Sequence, residues 1–258
     1  MPLATAVRPR AFVGVSGPDA ADYLQRMVSN DVEALADGES CDALLLTPKA
    51  RVIAPLRVLR RGADDFLLLA EPELGERVHA HLTRMRFAAK VEVALEEHAS
   101  TLVFDERPSG VVVANDDYGR AAWEVLDADV AGEPVAEDEL ERMRVAAGTP
   151  RFGAEIDDRV LPAEAGLTAR AVSFTKGCYP GQEPIARQHY RGKVNRTLRV
   201  LELDADAAPD DELVYEGKTV GRVTSVADGL ALAYVRTEVP ASAALEIAAK
   251  TGFARLRS

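Results

Sequence analysis

Residues 176–187 read KGCYPGQEPIAR. The run holds Cys178, one of only two cysteines in the chain, among residues suited to turns and charge. Gly177 and Gly181 allow tight turns or a close approach of backbone to a ligand. Pro180 stiffens the loop. Gln182 brings an amide that donates and accepts, and Glu183 a carboxylate. The Lys176 ammonium, close in sequence, favours a thiolate at Cys178. GQEPIAR reads as a helix start whose free N–H groups can meet an anion. Such a loop can hold a polar heteroaromatic ligand, or it can present a reactive thiol. It can also be scaffold: a buried cysteine, a cap, and a Glu183–Arg187 pair four residues apart. The mix of polar types, and the acidic EIDDRVLPAEAG at 155–166, weigh toward a pocket of opposed charges.

Upstream, AFVGVSG is a strand and turn. PDAADYLQRMV is a helix, with Pro18 in its first turn and Ala21, Leu24 and Val28 at helical spacing. SCDALLLT and RVIAPLRVLR are strands joined by a turn at Lys49–Arg51. Pro55 marks an edge, a bulge or an irregular end. FLLLA is a third strand. ELGERVHAHLTRMRFA is a helix with Leu74, Val78, Leu82 and Met85 on one stripe, and VEVALEE is a strand. Hairpins with intervening helices give α+β with mixed or antiparallel sheet. TLVFDE and SGVVVAND follow as strands, and YGRAAWEVLD as strand or short helix. AEDELERMRVAAG is a helix stopped by Gly148 and Pro150. From Asn195 onward, short strands separated by Gly, Asp and Pro predict a small sandwich or barrel. The expected division is a region 1–195, split near 100, followed by a β domain over 196–258.

The balance of 31 basic against 42 acidic residues, net −11, argues against a general nucleic-acid surface but leaves room for a local basic pocket. Cys41 and Cys178 are expected to be reduced. No signal peptide is read, and no run reaches the roughly eighteen apolar residues of a membrane helix. A cytoplasmic protein, without membrane or nucleic-acid partners, is the default expectation. There is no GxGxxG, P-loop, HExxH or GxSxG. His79 and His81 do not share a helix face, and two distant cysteines are a weak zinc signal, so no stably bound metal is expected.

KGCYPGQE resembles the K-G-C-Y-x-G-Q-E hallmark of the YgfZ/Iba57 family of folate-binding proteins, relatives of the glycine-cleavage T-protein. GPDAADYLQRMVSNDV at 17–32, GTPRFGAEIDDRVLPAEAGL at 148–167, and GRVTS at 221–225 with LALAYVR resemble further family segments, so the likeness spans nearly the whole chain. It implies folate-binding domains around a central cavity and a small C-terminal β-barrel. It implies tetrahydrofolate or a one-carbon derivative as cofactor. Transient partners would be iron–sulfur enzymes or cluster-assembly proteins, with Cys178 and Lys176 as the functional thiol and its neighbour. The T-protein's catalytic D-D pair falls here on Ala54 and Pro55, which have no carboxylate, so aminomethyl transfer is not expected. Its second folate-side acid corresponds to Glu164, able to accept two N–H bonds from a pterin edge. Asn30, Arg144, Tyr179, Gln182, Glu183 and Arg187 complete the expected folate-side set, each with a plainer structural role open to it. Two other functions stand beside the accessory role: a one-carbon transferase with a different substrate, and a scaffold with a degenerate pocket.

Overall fold

In the computed structural model, which describes residues 3–248 and 250–257, the chain forms two five-stranded sheets and a closed six-stranded barrel. In chain order the elements are β1 (Ala4–Val7), β2 (Ala11–Ser16), α1 (Ala20–Met27), β3 (Ser40–Leu46), β4 (Val52–Gly62), β5 (Asp65–Ala70), α2 (Gly75–Met85) and β6 (Glu92–Glu96). Then come β7 (Ser100–Phe104), β8 (Val112–Asn115), β9 (Ala122–Leu126), β10 (Glu133–Pro134), α3 (Glu137–Ala147), α4 (Thr168–Ala171) and α5 (Gln182–Arg191). The barrel is β11 (Arg196–Leu203), β12 (Glu212–Tyr215), β13 (Lys218–Ala227), β14 (Leu230–Arg236), β15 (Ala244–Ile247) and β16 (Phe253–Leu256). YGRAAWEVLD is thus a strand. No helix among the described residues is long and apolar enough to cross a membrane.

The first sheet runs β3-β4-β5-β2-β6, antiparallel throughout. Alternation sends Leu56 and Val58 to one face, where Leu24, Val28, Val78 and Leu82 of the α1 and α2 segments cover them. The expected stripe of α2 is the buried one, with Met85 partly buried at its end. Leu59 and Leu67 take the opposite face and meet Val113 and Leu126 of the second sheet. Phe66–Ala70 of β5 are therefore buried on both faces, which explains an uninterrupted apolar strand.

Pro55 sits within β4, opposite Leu44. Leu44 turns its backbone groups away from β4. Its N–H donates to Ser29 Oγ (2.8 Å), and its carbonyl accepts from the Ser29 N–H (3.1 Å). Pairing with β5 starts only at Arg57. The missing proline N–H is needed on neither side, so the strand is edge-like there although β4 is internal.

The second sheet runs β10-β1-β7-β9-β8, parallel only between β1 and β10. Its N-terminal strand joins partners more than ninety residues away, such as Val7 with Thr101. α3 opens on Glu137, Asp138 and Glu139, which favour the positive end of its dipole, and stops at Gly148 in the left-handed region (φ 73°). Arg144 ties this region to the barrel. Its guanidinium donates to Glu141, Glu155, Ser225 Oγ and the Thr149 carbonyl, while Tyr234 Oη donates to the Glu155 carbonyl.

Candidate functional site

The hallmark loop is held from below. Ser29, wholly buried, joins the exit of α1 to β3 and to the segment after α4: its hydroxyl donates to the Ala171 carbonyl and its own carbonyl accepts from Ser173 N. This brings the carbonyls of Val28 and Asn30 beneath the loop, and Lys176 Nζ donates to both at 2.7 Å. Lys176 is buried, on the Cys41 side of the loop. Burial pushes its ammonium down to about 8, against the opposing pull of the Asp31 carboxylate. Tyr179 is also buried, among Leu44, Leu46, Val52 and Ile185, with the Lys176 ammonium 5.3 Å from its ring centre. Cys178, between these two anchors, is exposed.

Gly181 seats the loop on the β3–β4 hairpin. Its φ is 85°, and a Cβ there would lie 2.8 Å from Thr47 O and 3.1 Å from Ala50 Cα. Gly177 has open space around it and no positive φ. Gly181→Ala is therefore expected to cost about 2–3 kcal/mol, a drop of roughly 5–10 °C in Tm. Gly177→Ala should stay within about 0.5 kcal/mol. Thermal melts of the pair check this; equal melting points would show that the hairpin does not constrain the loop.

Several expected site residues are occupied elsewhere. Lys176 does not accompany the Cys178 thiol into solvent, because the loop is anchored through it. Glu164 does not line the charged cavity beside the first sheet. Its carboxylate accepts from Leu161 N (3.2 Å) and pairs with Arg196 at the start of the barrel (3.3 Å), which is a capping and bridging role. Asn30 spends its amide on the Asp42 and Arg170 carbonyls and accepts from Asp31 N. All five Arg144 N–H donors are used internally, leaving none for a ligand. Tyr179 packs behind the loop in an apolar cluster. Gln182 is half-buried and Glu183 and Arg187 are exposed on α5, none of them at the cavity; the Glu183–Arg187 pair does not form among the described residues.

The charged cavity, between the first sheet and the segment 149–171 with Asp117 of the β8–β9 turn, is built from other residues. Pro55 and Leu56 line it with Leu44, Leu69, Phe152 and Leu167, and its polar wall carries Arg10, Arg57, Arg170, Asp42, Glu71 and Asp117. Arg57 reaches Asp42 (3.1 Å), Glu124 (2.9 Å) and Asp117 (2.8 Å). Arg170 reaches Asp42 (2.7 Å) and Asp117 (2.8 Å). Glu124, wholly buried behind the wall, accepts from Arg10, Arg57, Ser100 and Asn115. Burial alone would raise the Asp117 and Glu124 carboxyls. The surrounding guanidiniums outweigh it and hold both below the usual carboxylate range. The free volume is about 60 Å³, well under the roughly 300 Å³ at which ligand pockets begin. Its chemistry suits a folate: arginines for glutamyl carboxylates, aliphatic walls for a ring, carboxylates for amino groups. Its space requires the walls to part. Among the described residues no group of three or more His, Cys, Asp or Glu is placed to hold a metal ion.

Two five-stranded sheets followed by a closed six-stranded barrel make this a T-protein fold. The aminomethyltransferase T of the glycine cleavage system from Bartonella henselae superposes with a TM-score of 0.85 over 100% of this chain and 85% of that one, at 19% identity. Residues 195–257 match the CAF17 C-terminal β-barrel domain. The tRNA-modifying protein YgfZ of Klebsiella pneumoniae is 28% identical over 78% of this chain and 71% of its own length. The mouse mitochondrial iron–sulfur cluster assembly factor IBA57 is 26% identical over 76% of this chain and 64% of its own. A putative chloroplastic transferase of Arabidopsis thaliana is 26% identical over 84% of this chain, which spans 60% of that protein. On fold, barrel and relatives together, the chain is similar to T-protein-like proteins of the YgfZ and IBA57 type.

Proposed function

We propose that the protein is an accessory factor for iron–sulfur enzymes, acting through Cys178 and using a reduced folate as ligand of the charged cavity beside the first sheet. The observation that carries this reading is the exposed thiol on a loop fixed by Lys176, Tyr179 and Gly181. A lone thiol does not complete a cluster site, so its work is done against a second protein. An iron–sulfur enzyme that acts on tRNA as client would reconcile the names of the bacterial and mouse relatives.

Arg10, Arg57 and Arg170 would hold the folate's carboxylates, and Leu44, Leu69 and Leu167 its ring. When bound, the folate supplies a one-carbon carrier. The chain's own contribution is to exchange internal ion pairs for ligand ones and to exclude water. Group transfer is not proposed. Ala54 is buried without a carboxylate, Pro55 lines the cavity without one, and the acids that do face it are committed to arginines.

Anaerobic calorimetric titration with tetrahydrofolate should show binding, weakened about tenfold in Arg170→Ala through loss of a charge-assisted contact. Absence of heat at millimolar ligand would remove the folate from the reading. In cells lacking the protein, recovery of iron–sulfur enzyme activity should return with wild-type chain and not with Cys178→Ser. Recovery by that variant would end the accessory role as stated.

A further inference from the structure

Although the chain carries 42 acids against 31 bases, no Asp or Glu occurs between Glu183 and Glu202. That stretch carries Arg187, Arg191, Lys193, Arg196 and Arg199, and of these only Arg196 has an ion-pair partner among the described residues. Arg187, His189, Tyr190, Arg191 and Lys193 are all exposed, Tyr190 at 69%. Arg187 and Arg191 lie four apart on α5, with Tyr190 beside them on the same face.

Next to them is a groove of about 360 Å³ between α5 and the segment before it, lined by Ala163, Thr168, Ile185, Gln188, His189 and Gly192. Its walls are mainly small and aliphatic. The Thr168 hydroxyl lies away from solvent and has no hydrogen-bond partner. The helix that forms the groove begins four residues after Cys178.

We propose that this face of α5 is the docking surface for an acidic segment of a partner protein. Carboxylates of that segment meet Arg187, Arg191 and Lys193, and one of its apolar side chains enters the groove. The proposal rests on the reading that Cys178 acts against a protein, and it adds where that protein sits. Tyr and Arg are the residues enriched at such interfaces, and unpaired cations on an acidic protein select an acidic partner. A nucleic acid fits less well. The net charge of −11 repels a phosphate backbone. The most obvious stacking platform is already filled, because Phe174 stacks on His189 at 4.1 Å and Tyr190 stands edge-on to it.

The test uses a fluorescein-labelled synthetic Glu/Leu peptide and, separately, bulk tRNA, each titrated against the full chain by anisotropy. The peptide should bind. Affinity should fall at least about tenfold in Arg187→Glu/Arg191→Glu and with added salt. Ala169→Leu, which narrows the groove without changing charge, should also weaken it. Arg222→Glu in the barrel should not. Unchanged melting points confirm that the variants fold. No peptide binding, equal binding by the charge-reversed variant, or tighter binding of tRNA would each overturn the proposal. Cys178→Ser should bind the peptide normally. Loss of the docking surface and loss of the thiol's role are therefore read separately.

Discussion

Glu124→Gln is expected to remove about 3–5 kcal/mol of stability, a fall in Tm on the order of 10 °C. Glu124 is wholly buried and is the shared acceptor of Arg10 and Arg57, whose side chains are themselves 6% exposed. A neutral amide leaves two guanidiniums in the interior facing its N–H groups. Arg57 keeps Asp42 and Asp117 and Arg10 keeps Glu71, so the cost is that of buried charge left only partly compensated rather than the loss of one hydrogen bond. Breaking an exposed pair, Asp105→Asn opposite Arg120, should change little. Differential scanning calorimetry of the two variants separates the cases, and a Glu124 variant within 1 °C of wild type would mean that water reaches the network. The same carboxylate sets an acid limit. Its folded pKa is depressed, so its contribution is complete above the unfolded value of about 4.3 and is lost as pH falls below it. Wild type should lose stability steeply there, and Glu124→Gln should lose less.

The thiols should differ by a large factor. Cys41 is partly buried at the start of β3, and burial, then Asp42, pushes its thiol up to about 12. Cys178 is exposed on the anchored loop. Iodoacetamide in native buffer should label Cys178 at least about tenfold faster than Cys41, since the thiolate is the nucleophile and access controls its attack. Cys178→Ser should keep its melting point within about 1–2 °C, because little packs on an exposed side chain. Mass spectrometry of the single-cysteine variants gives both rates. Equal slow labelling, together with a large loss of stability in the Cys178 variant, would make the residue scaffold.

Much of the fold was legible because burial imposes periodicity. The stripe Leu74–Val78–Leu82 and the run FLLLA are direct records of one covered face and of two. β1, β10 and β16 were not legible: four, two and four residues long, they are strands only because a partner lies alongside. The site divides in the same way. An exposed thiol in a turn-rich loop could be read locally. The inward turn of Lys176 could not, since the carbonyls it holds are 148 and 146 residues distant in sequence. Glu164 was assigned to the cavity by motif, yet tertiary geometry gives it Arg196. Arg57 and Glu124 carry a local signal of their own. Each is a single charge between apolar neighbours in a strand, LRV and WEV, where strand alternation can turn it inward. A charge so placed needs a partner of opposite sign.

The position of β1 bears on how the chain comes off the ribosome. Ala4–Val7 lie between β10 and β7, so they have nothing to pair with until residues 100–134 have been made. At about 5–20 residues per second that interval is roughly 5–20 s. Meanwhile β2 to β6 are made in turn, β6 ending at Glu96 just before β7 begins at Ser100. The nascent chain therefore carries β1 unpaired while the first sheet is still being completed, a waiting period in which a strand-binding chaperone or a neighbouring nascent copy can capture it.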